Sequence, residues 1–235
     1  MHGNSKVGAF AEALAEAVEE PRTMWDAMVA QFAATENGGV GLLGGFLVGL
    51  QKRNAALADE LLDGLVEHPA LAPWYPILQA AVVIDEKALG RLHRALELDQ
   101  APIMRFYNLA WGRACENVPG PQFRDLAVAI ARKPDGCSVA LEIISMRLHS
   151  DRELKREPAP EVREAGRTIL DAFEFHRKDG RTTREDYELG IVARASLGRP
   201  DGASVARRLC RRFLSAAANH DISGYDNDDL LRALL

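Results

Sequence analysis

Apolar residues recur at three- and four-residue spacing along almost all of the 235-residue chain, and its prolines and glycines fall between the periodic stretches instead of inside them. Such punctuation specifies helices joined by turns. Val7, Phe10, Leu14, Ala17 and Val18 form the apolar side of a first helix ending at Pro21, with Glu12, Glu16, Glu19 and Glu20 opposite. A second helix is predicted from about Thr23 to Thr35 through Trp25, Met28, Val29 and Phe32, where Asn37-Gly38-Gly39 stops it. A third covers about Val40 to Lys52. Ala and Leu dominate the apolar set, β-branched residues are sparse and only 6% of residues are aromatic, so helix propensity outweighs strand propensity. The expected fold class is all-α.

The helical stretches also repeat. Phe46 to Leu50 leads into Leu57 to Val66, Ile77 to Ala81 into Leu89 to Leu98, and Tyr107 to Gly112 into Phe123 to Ile130. Two longer units follow, Val139 to Leu148 with Val162 to Phe173, and Leu189 to Leu197 with Val205 to Leu214. A period of about 31 residues, lengthening later, marks stacked helical hairpins, because a lone hairpin cannot bury its own apolar face. Asp151-Arg152-Glu153-Leu154-Lys155-Arg156-Glu157, followed by Pro158-Ala159-Pro160, interrupts the rhythm. Residues 150–160 are read as an enlarged inter-helix loop within one domain, 1–235, with a domain boundary as the rival.

Arg94-Ala95-Leu96-Glu97-Leu98-Asp99, followed by Phe106-Tyr107-Asn108-Leu109-Ala110-Trp111, resembles the junction between two tetratricopeptide units. The match covers about 20 residues, and the chain is equally similar to looser HEAT-like repeats. Pro102 is displaced from the tetratricopeptide pattern, Leu78-Gln79-Ala80 stands in place of its aromatic motif, and the later units are too long for it. The resemblance implies a right-handed superhelix of stacked antiparallel helical hairpins whose concave face binds a protein or peptide. It implies no catalytic residues.

Function is far less legible than fold. A net charge of −5 argues against a generic polyanion binder. From residue 151 onward there are 16 basic and 16 acidic residues, so the excess of negative charge belongs to residues 1–150. The longest uncharged apolar run, Gly38 to Leu50, is too short to cross a bilayer and too far from the amino terminus to be a signal peptide. No membrane association is expected. Cys115, Cys137 and Cys210 form no CxxC pair and read as small core residues in a reducing, cytoplasmic setting.

Gly39-Val40-Gly41-Leu42-Leu43-Gly44 fits the dinucleotide-binding GxGxxG literally, but a helix precedes it where that motif needs a strand. The glycines are read as sites of close helix packing. His2, His68, His93, His149, His176 and His220 show no metal-ligand spacing, and His68, His149 and His176 read as helix-end caps. Asp221, Asp226, Asp228 and Asp229 lack calcium-loop spacing and read as the capped start of a last helix. No cofactor or metal is expected.

The sharpest charged feature is a four-arginine face. On a helix from Ser204 to Leu214, Arg207, Arg208, Arg211 and Arg212 lie together, opposite Val205, Ala206, Leu209, Cys210, Phe213 and Ala217. The face is solvated or pairs with Glu185, Asp186 and Glu188; as a binding site it suits an acidic protein partner or, second, nucleic acid. Tyr75, just before Pro76, is the aromatic expected to be exposed, while Tyr107 and Trp111 are expected in the core. Leu230 to Leu235 is amphipathic without a stop signal, so the last helix is expected to continue into a longer polypeptide or to dock on a partner, including by self-association. The resulting expectation is a non-enzymatic protein-interaction scaffold or sensor module. By analogy with helical-repeat regions of bacterial signalling and defence ATPases, it would belong to a larger multidomain protein. The alternative is a nucleic-acid-binding helical-repeat domain that uses the stripe at 207–212.

Overall fold

The computed structural model describes residues 2–35, 39–175, 183–198, 200–219 and 228–234. Among these residues it is all-helical. The helices are α1 (His2–Ala17), α2 (Pro21–Ala33), α3 (Val40–Arg53), α4 (Ala55–Leu65), α5 (Tyr75–Ala80), α6 (Glu86–Leu98), α7 (Gly120–Ala131), α8 (Gly136–Glu153), α9 (Pro160–Ala172), α10 (Thr183–Leu197), α11 (Ala203–Ala218) and α12 (Asp228–Leu234). Short 3-10 segments cover Ala72–Trp74, Ile103–Ala110 and Pro200–Gly202. Two compact units are formed, residues 1–109 and 110–235.

Local chemistry explains most boundaries. Pro21 and Pro160 start α2 and α9, where a missing N–H costs nothing. Asn54 and Asp85 cap α4 and α6 by accepting from the Leu57 and Ala88 N–H groups at 3.1 and 2.9 Å. Asp99, left-handed at φ 55°, ends α6. α8 runs on through the charged residues Asp151, Arg152 and Glu153, so the connection to α9 spans only residues 154–159.

In the first unit α3 is the hub, packing against α1, α2, α4 and α5. Leu43, Phe46, Leu47 and Leu50 are fully or almost fully buried on it, each stabilising the fold by about 2 kcal/mol. The contact between α3 and α1 is made by small residues. A Cβ on Gly45 would overlap the Gly8 carbonyl, and one on Gly49 would overlap the Glu12 carbonyl and the Ala15 methyl. Gly8, Ala11 and Ala15 therefore form the face that α1 presents to α3. The expected apolar side is not the buried one: Val7 is 42% exposed and Phe10 64%, whereas Ala11 and Ala15 are 0% exposed. Backbone approach wins here because bulky side chains would hold the helices apart. Within the run read as packing glycines, Gly39 has open space around it and Gly44 makes an ordinary contact with the Ala81 methyl, so the close approach falls on Gly45 and Gly49; no strand precedes the run among the described residues.

The second unit packs each helix on the next and on the next but one: α7 on α8 and α9, α8 on α9 and α10, α9 on α10 and α11, and α10 on α11 and α12. Alternate helices thus form two layers. α8 lies at the centre, burying residues on nearly every side, among them Val139, Leu141, Ile144 and Leu148. α12 packs on α10 within the chain and buries Leu230 completely.

The stretch from Tyr107 to Gly112 departs from the expected α-helix. Residues 103–110 form a 3-10 segment, and turns follow to Pro119. Pro102 just before it supplies no N–H, and Gly112 and Arg113 both take positive φ, 60° and 61°, so helical hydrogen bonding cannot propagate. Trp111 consequently ends half-exposed at 48%, not in the core.

A methyl group separates two kinds of glycine. Gly45→Ala or Gly49→Ala is expected to destabilise the fold by about 2–3 kcal/mol, because α1 must be pushed off α3. Gly64→Ala in α4, where a Cβ meets nothing within 4 Å, is expected to stabilise it by about 0.5–1 kcal/mol through helix propensity. Chemical denaturation of the three variants measures both signs.

Candidate interaction site

The arginine face of α11 is built as expected, but two of its four members, the exposed Arg208 and the partly buried Arg212, reach across to α9. Arg208 makes a two-pronged pair with Asp171, at 2.6 and 2.9 Å. Arg212 donates to the carbonyl oxygens of Asp171 and Leu170 at 2.6 and 2.9 Å, capping the carboxyl end of α9. The Arg208 guanidinium holds the Asp171 carboxyl below the usual range. Asp171 on α9 is thus a partner of this face, and Glu185 accepts from the Ser138 hydroxyl at 2.9 Å. Arg207 and Arg211 are exposed, and the Arg207 Nε donates to the Ala203 carbonyl one turn back.

Tyr75 is not a surface anchor. It is 0% exposed, and its hydroxyl donates to Gln79 Oε1 at 2.7 Å, one turn along α5. Burial pushes its ionisation well above the ordinary tyrosine range. Gln79 Oε1 also accepts from Arg91 at 3.2 Å, and Arg91 reaches Asp63 and Asp59 on α4, both at 2.7 Å. Arg91 itself is only 7% exposed. Lys87 adds a contact to Asp59 at 3.1 Å, and Arg94 one to Glu67 at 3.0 Å. Asp59 and Asp63 on α4 and Glu67 just past its end thus face Lys87, Arg91 and Arg94 on α6 as a ladder between parallel helices. That ladder escaped the sequence reading, although each rung joins residues 27–32 positions apart, close to the repeat.

The second unit has its own buried guanidinium. Arg147 on α8 lies against Asp151 at 3.3 Å and donates to the carbonyls of Cys115 and Val118 at 2.7 and 2.8 Å, with its guanidinium 5.2 Å from the Phe123 ring centre. It anchors the non-helical stretch before α7. Cys115 is buried beside it, its thiol pushed up to about 12 by desolvation, and burial pushes the Cys137 thiol up to about 11. Neither is poised as a nucleophile.

No family model, curated protein or solved structure matches the chain. Function must be read from the surface itself.

A groove of about 430 Å³ runs between α2 and α4. Trp25, Val29, Leu61 and Leu65 line its apolar interior, while Arg22, Asp26, Glu60 and His68 stand at its edges. Arg22 and Glu60 bridge it at 2.6 Å. Gly64 lies along its wall, with open space where a side chain would be. His68 lies just past the end of α4, and its Nδ1 accepts from the Ala70 N–H at 3.2 Å. His149, in the last turn of α8, pairs with Glu153 at 3.0 Å. His2, His176, His220 and the acidic run Asp221, Asp226, Asp228 and Asp229 have side chains outside the described residues. No cluster of three or more metal-ligating side chains occurs among the described residues.

Removing the buried cation should be costly. Arg91→Met is expected to lower stability by about 2–4 kcal/mol, with Asp63 losing its guanidinium and Asp59 and Gln79 left to Lys87 and Tyr75. Hydrogen bonding from Arg91 holds the Asp59 carboxyl below its ordinary range. Its contribution is therefore complete above about pH 4 and is lost as pH falls through the lowered native value. Asp59→Asn should reduce stability at pH 7 yet flatten the loss between pH 4 and pH 2, read by thermal unfolding across that range.

Proposed function

We propose that the protein is a non-enzymatic interaction scaffold, a superhelix of helical hairpins that holds an amphipathic helix of a protein partner in the groove between α2 and α4. The observation that carries this reading is an internal comparison. Between α4 and α6 the gap is closed by the ladder of Asp59, Asp63 and Glu67 with Lys87, Arg91 and Arg94. Between α2 and α4 the two helices are joined at Arg22 and Glu60, with an apolar cleft beside that pair. A cleft walled by two helices, apolar inside and charged at the edges, suits a helix laid in lengthwise, with its own polar side outward. The setting proposed is cytoplasmic, within a larger multidomain protein of the signalling or defence kind. Self-association would use the outer side of α12. No helix among the described residues is long and apolar enough to cross a membrane. The nucleic-acid alternative rests on Arg207 and Arg211 as the outward members of the arginine face, since Arg208 and Arg212 hold α9.

Two exposed helical glycines allow a matched test, because a Cβ on Gly64 or Gly90 meets nothing within 4 Å. Gly64→Phe fills the groove, whereas Gly90→Phe on α6 does not touch it. Affinity capture from the native lysate should recover a partner with wild type and Gly90→Phe and lose it with Gly64→Phe. Equal capture by both variants removes the groove from the account, and capture of no protein at all removes the scaffold. Loss of binding to an oligonucleotide in Arg207→Glu/Arg211→Glu, with a steep salt dependence, would favour the alternative.

A further inference from the structure

The outer side of α1 carries large apolar side chains that the fold leaves exposed. Val7, Phe10, Leu14 and Ala17 follow one another at steps of three, four and three residues, the spacing of a seam between paired helices. Phe10 is 64% and Val7 42% exposed, Ala17 is exposed, and Leu14 is half-buried. A helix serving only its own unit would turn these residues inward and leave Gly8, Ala11 and Ala15 to the solvent. α1 does the reverse, because the small residues admit α3. The seam is also held in place. Lys52 on α3 pairs with Glu12, and Arg53 donates to the carbonyl oxygens of Ala15 and Val18. A face fixed in advance loses little freedom when it is covered.

Charge narrows the choice of what covers it. A helix lying in a membrane surface flanks its apolar side with Lys and Arg, whereas α1 sets Lys6 against Glu12 and Glu16. Lys6 stands one turn before Phe10, and Glu19 and Glu20 stand just past the end of α1. All three are exposed and make no ion pair among the described residues. The two ends of the stripe are thus opposite in sign, which suits it to its own reversed copy. Laid side by side in the same direction, two stripes would set Phe10 against Phe10 and Lys6 against Lys6. Turned antiparallel about residue 12, they set Phe10 against Leu14 of the second copy and Val7 against Ala17 of the second copy. Lys6 then falls at the end that carries Glu19 and Glu20 of the second copy.

We propose that α1 pairs with α1 of a second copy of this chain, antiparallel about a two-fold axis near residue 12. The proposal rests on neither the α2–α4 groove nor the outer side of α12. Four residues a side over three turns make a small interface, so the pairing is reversible and follows concentration. Sedimentation velocity of the full chain over about 5–500 µM tests it, and wild type should pass from monomer to dimer within that range. Phe10→Lys should weaken dimerisation at least tenfold, whereas Val83→Lys, at an equally exposed apolar residue of the same unit, should leave it unchanged. Lys6→Glu should weaken it at least threefold, and Glu19→Lys/Glu20→Lys added to Lys6→Glu should restore it. Far-UV circular dichroism with a thermal melt establishes that each variant is folded. Should Phe10→Lys fail to fold, the charge reversal still decides. A monomer at every concentration would leave the stripe to another protein and overturn the proposal. So would a dimer that folded Phe10→Lys leaves intact, or a loss in Lys6→Glu that the added reversal fails to restore.

Discussion

Each unit holds a guanidinium withdrawn from water. Placing such a charge inside a small helical domain is expensive unless its donors are answered, and Arg91 and Arg147 are answered by carboxylates, a carboxamide oxygen or main-chain carbonyls. What each arginine holds is something that hydrophobic packing leaves loose. Arg91 ties α6 to α4 and, through Gln79 and Tyr75, to α5. Arg147 gathers the carbonyls of a stretch that has abandoned helical hydrogen bonding. Apolar burial supplies the larger part of the stability, but these two side chains decide which helices lie against which.

Helices were readable because their signals are local: Pro21 and the Pro158-Ala159-Pro160 break act within a turn of themselves. The errors were of a different kind. Assigning Val7 and Phe10 to the interior followed from hydropathy, whereas the interior side of α1 is set by how closely two backbones approach. Tyr75 and Trp111 exchanged their expected surroundings because exposure depended on a hydrogen bond from the Tyr75 hydroxyl and on a break in helical structure after Pro102. In the arginine face the residue types and the helix were legible but the partner was not, since Asp171 lies 37 positions away on a helix whose facing cannot be computed from period alone.

The groove beside Trp25 is walled by two helices and edged by Arg22 on one side and Glu60 on the other, so selectivity there would come from shape and from the apolar width between them.

The ladder between α4 and α6 has a consequence for how such a chain can change in length. Its rungs sit one helical turn apart on both rails, so the two helices are indexed to each other like a rack and a toothed bar. Extra residues in the connection between α5 and α6 leave the teeth engaged. A single residue inserted before Arg91 within α6 would rotate everything on one side of it by about 100° relative to the other and disengage the rungs. Growth and drift in this region are thus confined to the turns, and the helices are held to whole numbers of turns by their charges.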